Sequence, residues 1–145
     1  LEVALAALLI TGMGGGFSQV IKSFPNINDL ATLIQNSGVP GLLIPFLIGA
    51  IMFTAVGSMT TGGMTAAGVV GPMMATLGLT PISTVLAIGA GTMIFNHVNN
   101  SGFWVISRFF NLDLKQGFKY ITLPDAVAGV FCFILICGAA AVGLF

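Results

Sequence analysis

The sequence predicts an all-α integral membrane protein whose hydrophobic passages are interrupted by polar, glycine-rich segments. Hydrophobic residues make up 57% of the 145 residues and charged residues only 6%, whereas soluble domains carry about 25% charged residues. No Asp, Glu, Lys or Arg occurs between Asp29 and Arg108. So few charges cannot solvate a surface of this size, and we therefore expect lipid to cover most of it.

The charge pattern disfavours several other classes of protein. A net charge of zero gives no basis for a nucleic-acid partner. Cys132 and Cys137 lie in the last apolar run and are interpreted as packing residues, so that no disulfide, metal site or cofactor is predicted. An intramembrane enzyme is disfavoured because the apolar core has no carboxylates and no Ser–His spacing typical of a catalytic pair.

The N-terminal part of the chain is expected to contain two short elements. Residue 1 lies in a hydrophobic stretch without a positively charged leader, so the chain is interpreted as the C-terminal half of a longer protein rather than as a secreted one. Residues 1–21 are predicted to be the end of a transmembrane helix. Residues 26–38 have a polar start and one apolar face, which predicts an amphipathic helix at the membrane interface.

A re-entrant hairpin is predicted over residues 41–79. Its apolar arms, 41–56 and 66–79, are each shorter than the ~20 residues that a crossing needs. The alternative is one full crossing followed by an irregular second one. The hairpin tip, 57–65, is rich in hydroxyl groups and glycine, and its candidate substrate-binding residues are Gly57, Ser58, Thr60 and Thr61.

Two interpretations of this tip remain open. Hydroxyl groups there can bind a carboxylate or a sugar hydroxyl beside the N–H groups of the following half-helix, because helix N-termini attract anions. The alternative is hydrogen bonding between helices, which is common for Ser and Thr in membranes.

A transmembrane helix broken near its middle is predicted over residues 81–108. Thr80 and Pro81 form a typical helix start, but the apolar run ends at Phe95 and a polar segment follows. Unpaired backbone groups are costly in lipid, so such a break is expected only where protein or water covers it. The candidate substrate-binding residues of this second break are Asn96, Asn99, Asn100 and Ser101.

His97 is the candidate proton-coupling residue of the second break. Polar groups at membrane depth are costly and usually functional, and an imidazole takes up and releases protons near neutral pH. The alternative is a structural histidine with satisfied hydrogen bonds. The residues of both breaks carry no fixed charge, so any charge needed for coupling is expected from His97, from helix ends or from an N-terminal half.

The last third of the chain is expected to contain two helices. Residues 113–121 are predicted to form an interfacial helix capped by Asp113, and residues 123–145 a plain transmembrane helix. Arg108, Lys115 and Lys119 cluster in the connection between the membrane segments, which the positive-inside rule places in the cytoplasm. The C-terminus is then expected on the periplasmic or extracellular side.

Several motifs resemble those of the gluconate permease (GntP-type) family, within the ion transporter superfamily of secondary carriers. The most specific is the octet from His97 to Trp104, which reads His-Val-Asn-Asn-Ser-Gly-Phe-Trp and is close to the family's His-Val-Asn-Asp-Ser-Gly-Phe-Trp. The weaker motifs are Gly14-Gly15-Gly16-Phe17, Gly57-Ser58 with Thr60, and Thr65-Ala66-Ala67-Gly68. The resemblance runs through nearly the whole chain in order.

The resemblance implies a secondary active transporter that imports a small organic acid, gluconate or another hydroxy-monocarboxylate, by proton symport. It further implies two inverted repeats, of which this chain is the second, a homodimer, and elevator-type alternating access. The implied partners are an organic anion, a proton, membrane lipid and the N-terminal half of the transporter, in the bacterial cytoplasmic (inner) membrane. A sodium-coupled carrier and a channel or passive membrane subunit are the alternatives.

Two positions depart from the family's pattern. Asn100 stands where the family usually has Asp, and residues 53–56 lack the Arg typical of the arm before Gly57. An Asp is a natural proton carrier and an Arg a natural carboxylate ligand. The departures favour a divergent subfamily with a different monocarboxylate substrate, such as a hydroxybutyrate-like one.

Overall fold

The computed structural model describes residues 40–145, and every regular element in this part of the chain is helical. The all-α class predicted from the sequence is confirmed for these residues, while the elements expected at 1–21 and 26–38 lie outside them. The helices are α1 (Leu43–Val56), α2 (Met59–Val70), a 3-10 turn (Gly71–Met73), α3 (Pro81–Gly91), α4 (Ser101–Phe109), α5 (Leu114–Gly117), a π turn (Phe118–Thr122) and α6 (Leu123–Ala141).

Helices α1 and α2 form a hairpin whose turn is shorter than the sequence indicated. Gly57 adopts a left-handed conformation with φ 72°, and Ser58 is already the N-cap of α2. Such a backbone angle is readily available only to glycine. Because the helix restarts at Met59, the hydroxyl groups of Thr60 and Thr61 lie on its first turn and not in an open loop.

Helix α3 packs against α1 through glycine. A Cβ atom on Gly91 would lie 2.0 Å from the carbonyl oxygen of Phe46, and one on Gly49 would lie 2.5 Å from that of Ile88. The two backbones are therefore close enough to exclude any side chain at these positions, as is common between membrane helices. This contact fixes the position of α3, and hence of the break that follows it, relative to the α1–α2 hairpin.

The second predicted break is present as an irregular segment, 92–100, between α3 and α4. Thr80 caps α3 with Pro81 at its first position, as the sequence predicted. The helix ends several residues earlier than the apolar pattern indicated. The Thr92 hydroxyl donates to the carbonyl oxygen of Gly89 at 2.8 Å, a local bond that competes with continuation of the helix.

Residues Leu114–Ala141 form one continuous helix of 28 residues with a mean hydropathy of 2.1. Among the described residues it alone is long and apolar enough to span a membrane, at ~1.5 Å per residue against a ~30 Å hydrocarbon core. The separation expected between 121 and 123 is absent, and Thr122 has helical backbone angles without acting as a cap.

The π turn explains why the helix continues past Pro124. Proline lacks an N–H group and normally breaks a helix. Here the backbone widens by one residue over Phe118–Thr122, and the N–H of Leu123 donates to the carbonyl oxygen of Phe118. Single π turns of this kind occur often at functional sites. This one ends at Thr122 and precedes Asp125, and both residues contact the second break.

Candidate functional site

The two breaks predicted from the sequence lie against each other. A Cβ atom on Gly57 would lie 2.2 Å from the carbonyl oxygen of Asn99. The side-chain amide of Asn99 donates to the carbonyl oxygens of Thr54 at 3.0 Å and Ala55 at 3.3 Å. These carbonyls belong to the last turn of α1, which has no intrahelical donors of its own. The second break therefore completes the hydrogen bonding of the helix that precedes the first.

Two capped helix N-termini flank this contact. The Ser58 hydroxyl accepts from the N–H of Thr61 at 3.3 Å and caps α2. The Asn100 side-chain oxygen accepts from the N–H of Gly102 at 2.8 Å and caps α4. Each cap is one residue from the Gly57–Asn99 contact. Helix N-termini carry partial positive charge and unpaired N–H groups, so this region favours an anion.

His97 is tied to the same contact by its ring. Its Nδ1 atom accepts from the backbone N–H of Asn99 at 3.1 Å, and the residue is half-buried. A neutral imidazole that accepts at Nδ1 carries its proton on Nε2. Protonation of Nδ1 removes the acceptor of Asn99, so the charge state of this ring affects the residue that joins the two breaks.

Asn96 is held by the last helix. Only 6% of Asn96 is exposed. Its side-chain amide donates to Oδ2 of Asp125 at 2.6 Å. Thr122, one turn earlier on the same helix, donates its hydroxyl to the Asn96 carbonyl oxygen. The Asn96 side-chain oxygen in turn accepts from the amide of Asn100 at 2.9 Å.

Asp125 was not among the site residues predicted from the sequence, where it lies at the start of the predicted transmembrane helix 123–145. The break residues carry no fixed charge, but the expected sources of charge, which were His97, helix ends and an N-terminal half, left out the α6 carboxylate that contacts the second break. The contact with Asn96 could not be predicted from local sequence because the two residues are 29 positions apart. The available signal was a lone acid on the first turn of an otherwise uncharged membrane helix, a position that usually marks function.

Two predicted site residues stand apart from this network. Thr60 and Ser101 are exposed, and their hydroxyl groups make no hydrogen bond within residues 40–145. No group of His, Cys, Asp or Glu side chains in the described part of the chain is arranged to hold a metal ion. A groove on α6 between Val127 and Phe131 is apolar and offers nothing to recognise a carboxylate.

Apolar helices interrupted by polar segments, with their ends capped by polar side chains, are typical of integral membrane transport proteins. The sequence comparison specifies the family. The chain belongs to the GntP family permeases, whose family profile matches residues 1–142. This is a family of transporters and not of enzymes, and the resemblance noted from the octet at 97–104 is confirmed.

Several curated proteins are similar to most of the chain. It is 33% identical to the high-affinity gluconate transporter of Escherichia coli K12 over 130 residues, covering 90% of the chain and 30% of that protein. It is 33% identical to a gluconate permease of Pseudomonas aeruginosa, covering 90% and 29%, and 33% identical to the D-serine transporter DsdX of Escherichia coli K12, covering 85% and 28%. The chain thus spans less than a third of the length of these relatives. No solved structure matches it.

Proposed function

We propose that this chain is the C-terminal half of a secondary active transporter that imports a small organic acid, gluconate or another hydroxy-monocarboxylate, by proton symport. The observation that carries the proposal is the convergence of two helix N-termini, capped by Ser58 and Asn100, at the Gly57–Asn99 contact. Helix N-termini at such breaks bind anionic substrate groups in transporters. The substrate-binding residues of the proposal are Gly57, Ser58, Thr60, Thr61, Asn96, Asn99, Asn100 and Ser101.

The charge of the site favours a singly charged substrate. Between residues 40 and 107 there is no Lys or Arg, so the donors that this part of the chain offers an anion are hydroxyl, amide, imidazole and backbone N–H groups. Neutral donors bind a carboxylate more weakly than a bidentate Arg does. They suit one carboxylate together with neighbouring hydroxyl groups better than a di- or tricarboxylate.

The names of the relatives agree with this chemistry. Two of them are gluconate carriers and a third carries D-serine. Gluconate and serine both have one carboxylate on a carbon that bears a polar substituent, and both have at least one hydroxyl group. The shared feature suits a site that combines anion-binding helix ends with hydroxyl side chains.

The proposed transporter has the architecture that the family resemblance implies. The α1–α2 hairpin is a re-entrant hairpin, and α3 with α4 forms one broken transmembrane helix. A matching N-terminal half supplies the inverted repeat, two copies form a homodimer, and the substrate site moves across the bacterial inner membrane in an elevator motion. Arg108, Lys115 and Lys119 lie in the cytoplasm, and the C-terminus is periplasmic.

Uptake into liposomes tests the proposal. The full-length protein is reconstituted, a pH gradient with an alkaline interior is imposed, and accumulation of radiolabelled gluconate is measured beside D-serine and hydroxybutyrate. Accumulation above the external concentration, abolished by a protonophore, is expected. Uptake that only equilibrates the substrate indicates a channel or passive subunit. Accumulation that follows a sodium gradient instead indicates a sodium-coupled carrier.

His97 is the proposed proton carrier, and two substitutions separate its chemistry from its hydrogen bond. His97→Asn keeps an oxygen that accepts from the Asn99 N–H but cannot take up a proton, whereas His97→Ala loses both functions. Both variants are expected to lose at least about tenfold of gradient-driven uptake, and His97→Asn is expected to keep substrate exchange. Equal loss of uptake and exchange in His97→Asn contradicts proton transfer by His97.

A further inference from the structure

A chain of side-chain amides connects the last helix to the start of α4. It begins at the carboxylate of Asp125, passes through the amides of Asn96 and Asn100, and ends at the N–H of Gly102. In each of the three bonds the donor N–H lies on the side of α4 and the acceptor oxygen lies on the side of Asp125. All three bonds run in one direction, from the donor N–H of Gly102 at one end to the acceptor carboxylate of Asp125 at the other.

The other end of this chain cannot reverse. An Asn amide can turn over and exchange its oxygen with its NH₂ group, but the backbone N–H of Gly102 can only donate. An ionised Asp125 can only accept, so it is compatible with the order seen in the structure. While Asp125 is ionised, Asn100 is held with its oxygen on the N-terminus of α4, and that N-terminus is occupied by its own cap.

Protonation of Asp125 weakens this arrangement in either of its two forms. If the proton is on Oδ2, the new O–H donates, so the amides of Asn96 and Asn100 must both turn and the latter then meets the Gly102 N–H with its NH₂ group. If the proton is on the other oxygen, the bond to Asn96 loses its charge assistance. The step moves one proton from water to the carboxylate and changes no other covalent bond.

Few other titratable groups lie on the elements around Asp125. Helices α1 and α3 carry none, and His97 in the break bonds to Asn99, on the α1 side. Lys119 and Tyr120 lie on the preceding π turn, where they contact each other. No basic side chain within residues 40–145 forms an ion pair with Asp125. Among these residues, the Asn96 amide is therefore the one side-chain donor to the Asp125 carboxylate.

We infer that Asp125 is a positioning residue whose protonation frees the N-terminus of α4 to bind the carboxylate of the substrate. This inference rests on the proposed function and adds a second proton-responsive group, which acts through Asn96 and Asn100 and not through His97. The sign follows by linkage: if protonation favours substrate binding, substrate binding favours protonation by the same factor. Affinity for the organic anion rises as the pH falls, which is the coupling that a proton symporter needs.

Two measurements on the full-length protein test the role of Asp125. The first is the affinity for gluconate at acidic and at alkaline pH, by calorimetry. The second needs no substrate: it is the pH dependence of Trp104 fluorescence, isolated as the difference from a Trp104→Phe variant. Trp104 reports on this region because it lies on the first turn of α4 and donates to the carbonyl oxygen of Val98 in the break.

Wild-type protein is expected to bind gluconate about tenfold more tightly at acidic pH, within the usual range of coupling between two sites. Asp125→Asn is expected to lose most of the pH dependence of binding and of Trp104 emission, and the remainder is expected from His97. Asp125→Glu, which keeps a carboxylate, is expected to retain both responses. Full wild-type responses in Asp125→Asn overturn the inference.

Two further variants test whether Asp125 acts through the hydrogen bonds of Asn96 and Asn100, here called the relay, or through its charge alone. Asn96→Ala leaves Asp125 able to titrate but removes the link to Asn100, and the same loss of most of both pH responses is expected as in Asp125→Asn. Asp113→Asn is the matched control, because Asp113 is an exposed cap whose carboxylate accepts from Gln116, and it is expected to behave like wild type. Unchanged responses in Asn96→Ala overturn the relay. If the wild-type protein binds no gluconate but shows the Asp125-dependent fluorescence change, gluconate is not the substrate, and the inference about Asp125 still holds.

Discussion

The two helix breaks differ in how the polar groups at their helix ends are hydrogen-bonded. The first is closed by two adjacent residues: Gly57 turns the chain, and Ser58 caps the next helix within its own first turn. The second runs from 92 to 100 and depends on distant partners, with Asn99 bonded to α1 and Asn96 bonded to α6. The first break is fixed by local sequence, whereas the second is fixed by what packs around it.

This difference indicates which break can change its structure when a neighbouring group is protonated or a neighbouring helix moves. The first turn takes hydrogen bonds from one distant residue, Asn99, while its N-cap is formed locally by Ser58. A segment whose polar groups are shared with two other helices changes when either helix moves or changes charge. We therefore expect the proton-responsive groups at the second break, where His97 and Asp125 lie, and a rigid edge of the binding site at the first.

The largest loss of folding stability is expected for Gly57→Ala, a substitution in the first break. The new Cβ would meet the Asn99 carbonyl oxygen at 2.2 Å, and the residue would also be held at positive φ. We expect a loss of more than about 4 kcal/mol, which is exceptional for one substitution and prevents accumulation of folded protein. Abundance in membranes and the thermal midpoint in detergent measure it.

Gly78→Ala is the matched control for that substitution. Gly78 also has positive φ, at 65°, but nothing lies within 4 Å of the Cβ position. It reports backbone strain alone, about 1–2 kcal/mol. Equal stability of the two variants contradicts a close contact between the breaks.

A smaller effect is expected when the bonds from Asn99 to α1 are removed. Asn99→Ala deletes donors to two carbonyl oxygens and should cost about 1–3 kcal/mol. Asn99→Asp has the same shape but places a carboxylate against the negative end of α1, so it should destabilise more than Asn99→Ala. Thermal unfolding gives the order, and an Asn99→Asp variant as stable as wild type rules out this role.

The smallest effect is expected for Ser58→Ala, which removes a local cap. The loss should be about 0.5–1 kcal/mol, with the emission of Trp104 unchanged because the second break is not involved. Ser101→Ala, whose hydroxyl makes no hydrogen bond within the described residues, should leave stability unchanged. If Ser58→Ala alters the pH response of Trp104, the two breaks are not independent.

The sequence predicted those features that depend on neighbouring residues. Thr80 and Pro81 start α3, Asp113 caps α5, and the polar segment after Phe95 interrupts the helical run. It could not predict that Asn99 completes α1 or that Asp125 holds Asn96, because these bonds join residues that only packing brings together.

The boundary at 122 was misplaced for a related reason. Thr122 and Asp125 have the composition of a helix start, but their side chains are directed to Asn96 instead of to their own backbone. Polar side chains with the spacing of a helix cap can hydrogen-bond either to their own helix N-terminus or to a neighbouring segment. Only the packing of α3 against α6 decides between the two.

The π turn before α6 also sets an angular relation along the long helix. One residue corresponds to about 100° of rotation at 3.6 residues per turn. The additional residue in Phe118–Thr122 therefore rotates Lys115 relative to Asp125 by about that angle, compared with an uninterrupted α-helix. Deleting one residue from this turn would leave a regular helix. The exposed side chain of Lys115 and the Asp125 carboxylate that contacts Asn96 could then no longer both keep their present directions.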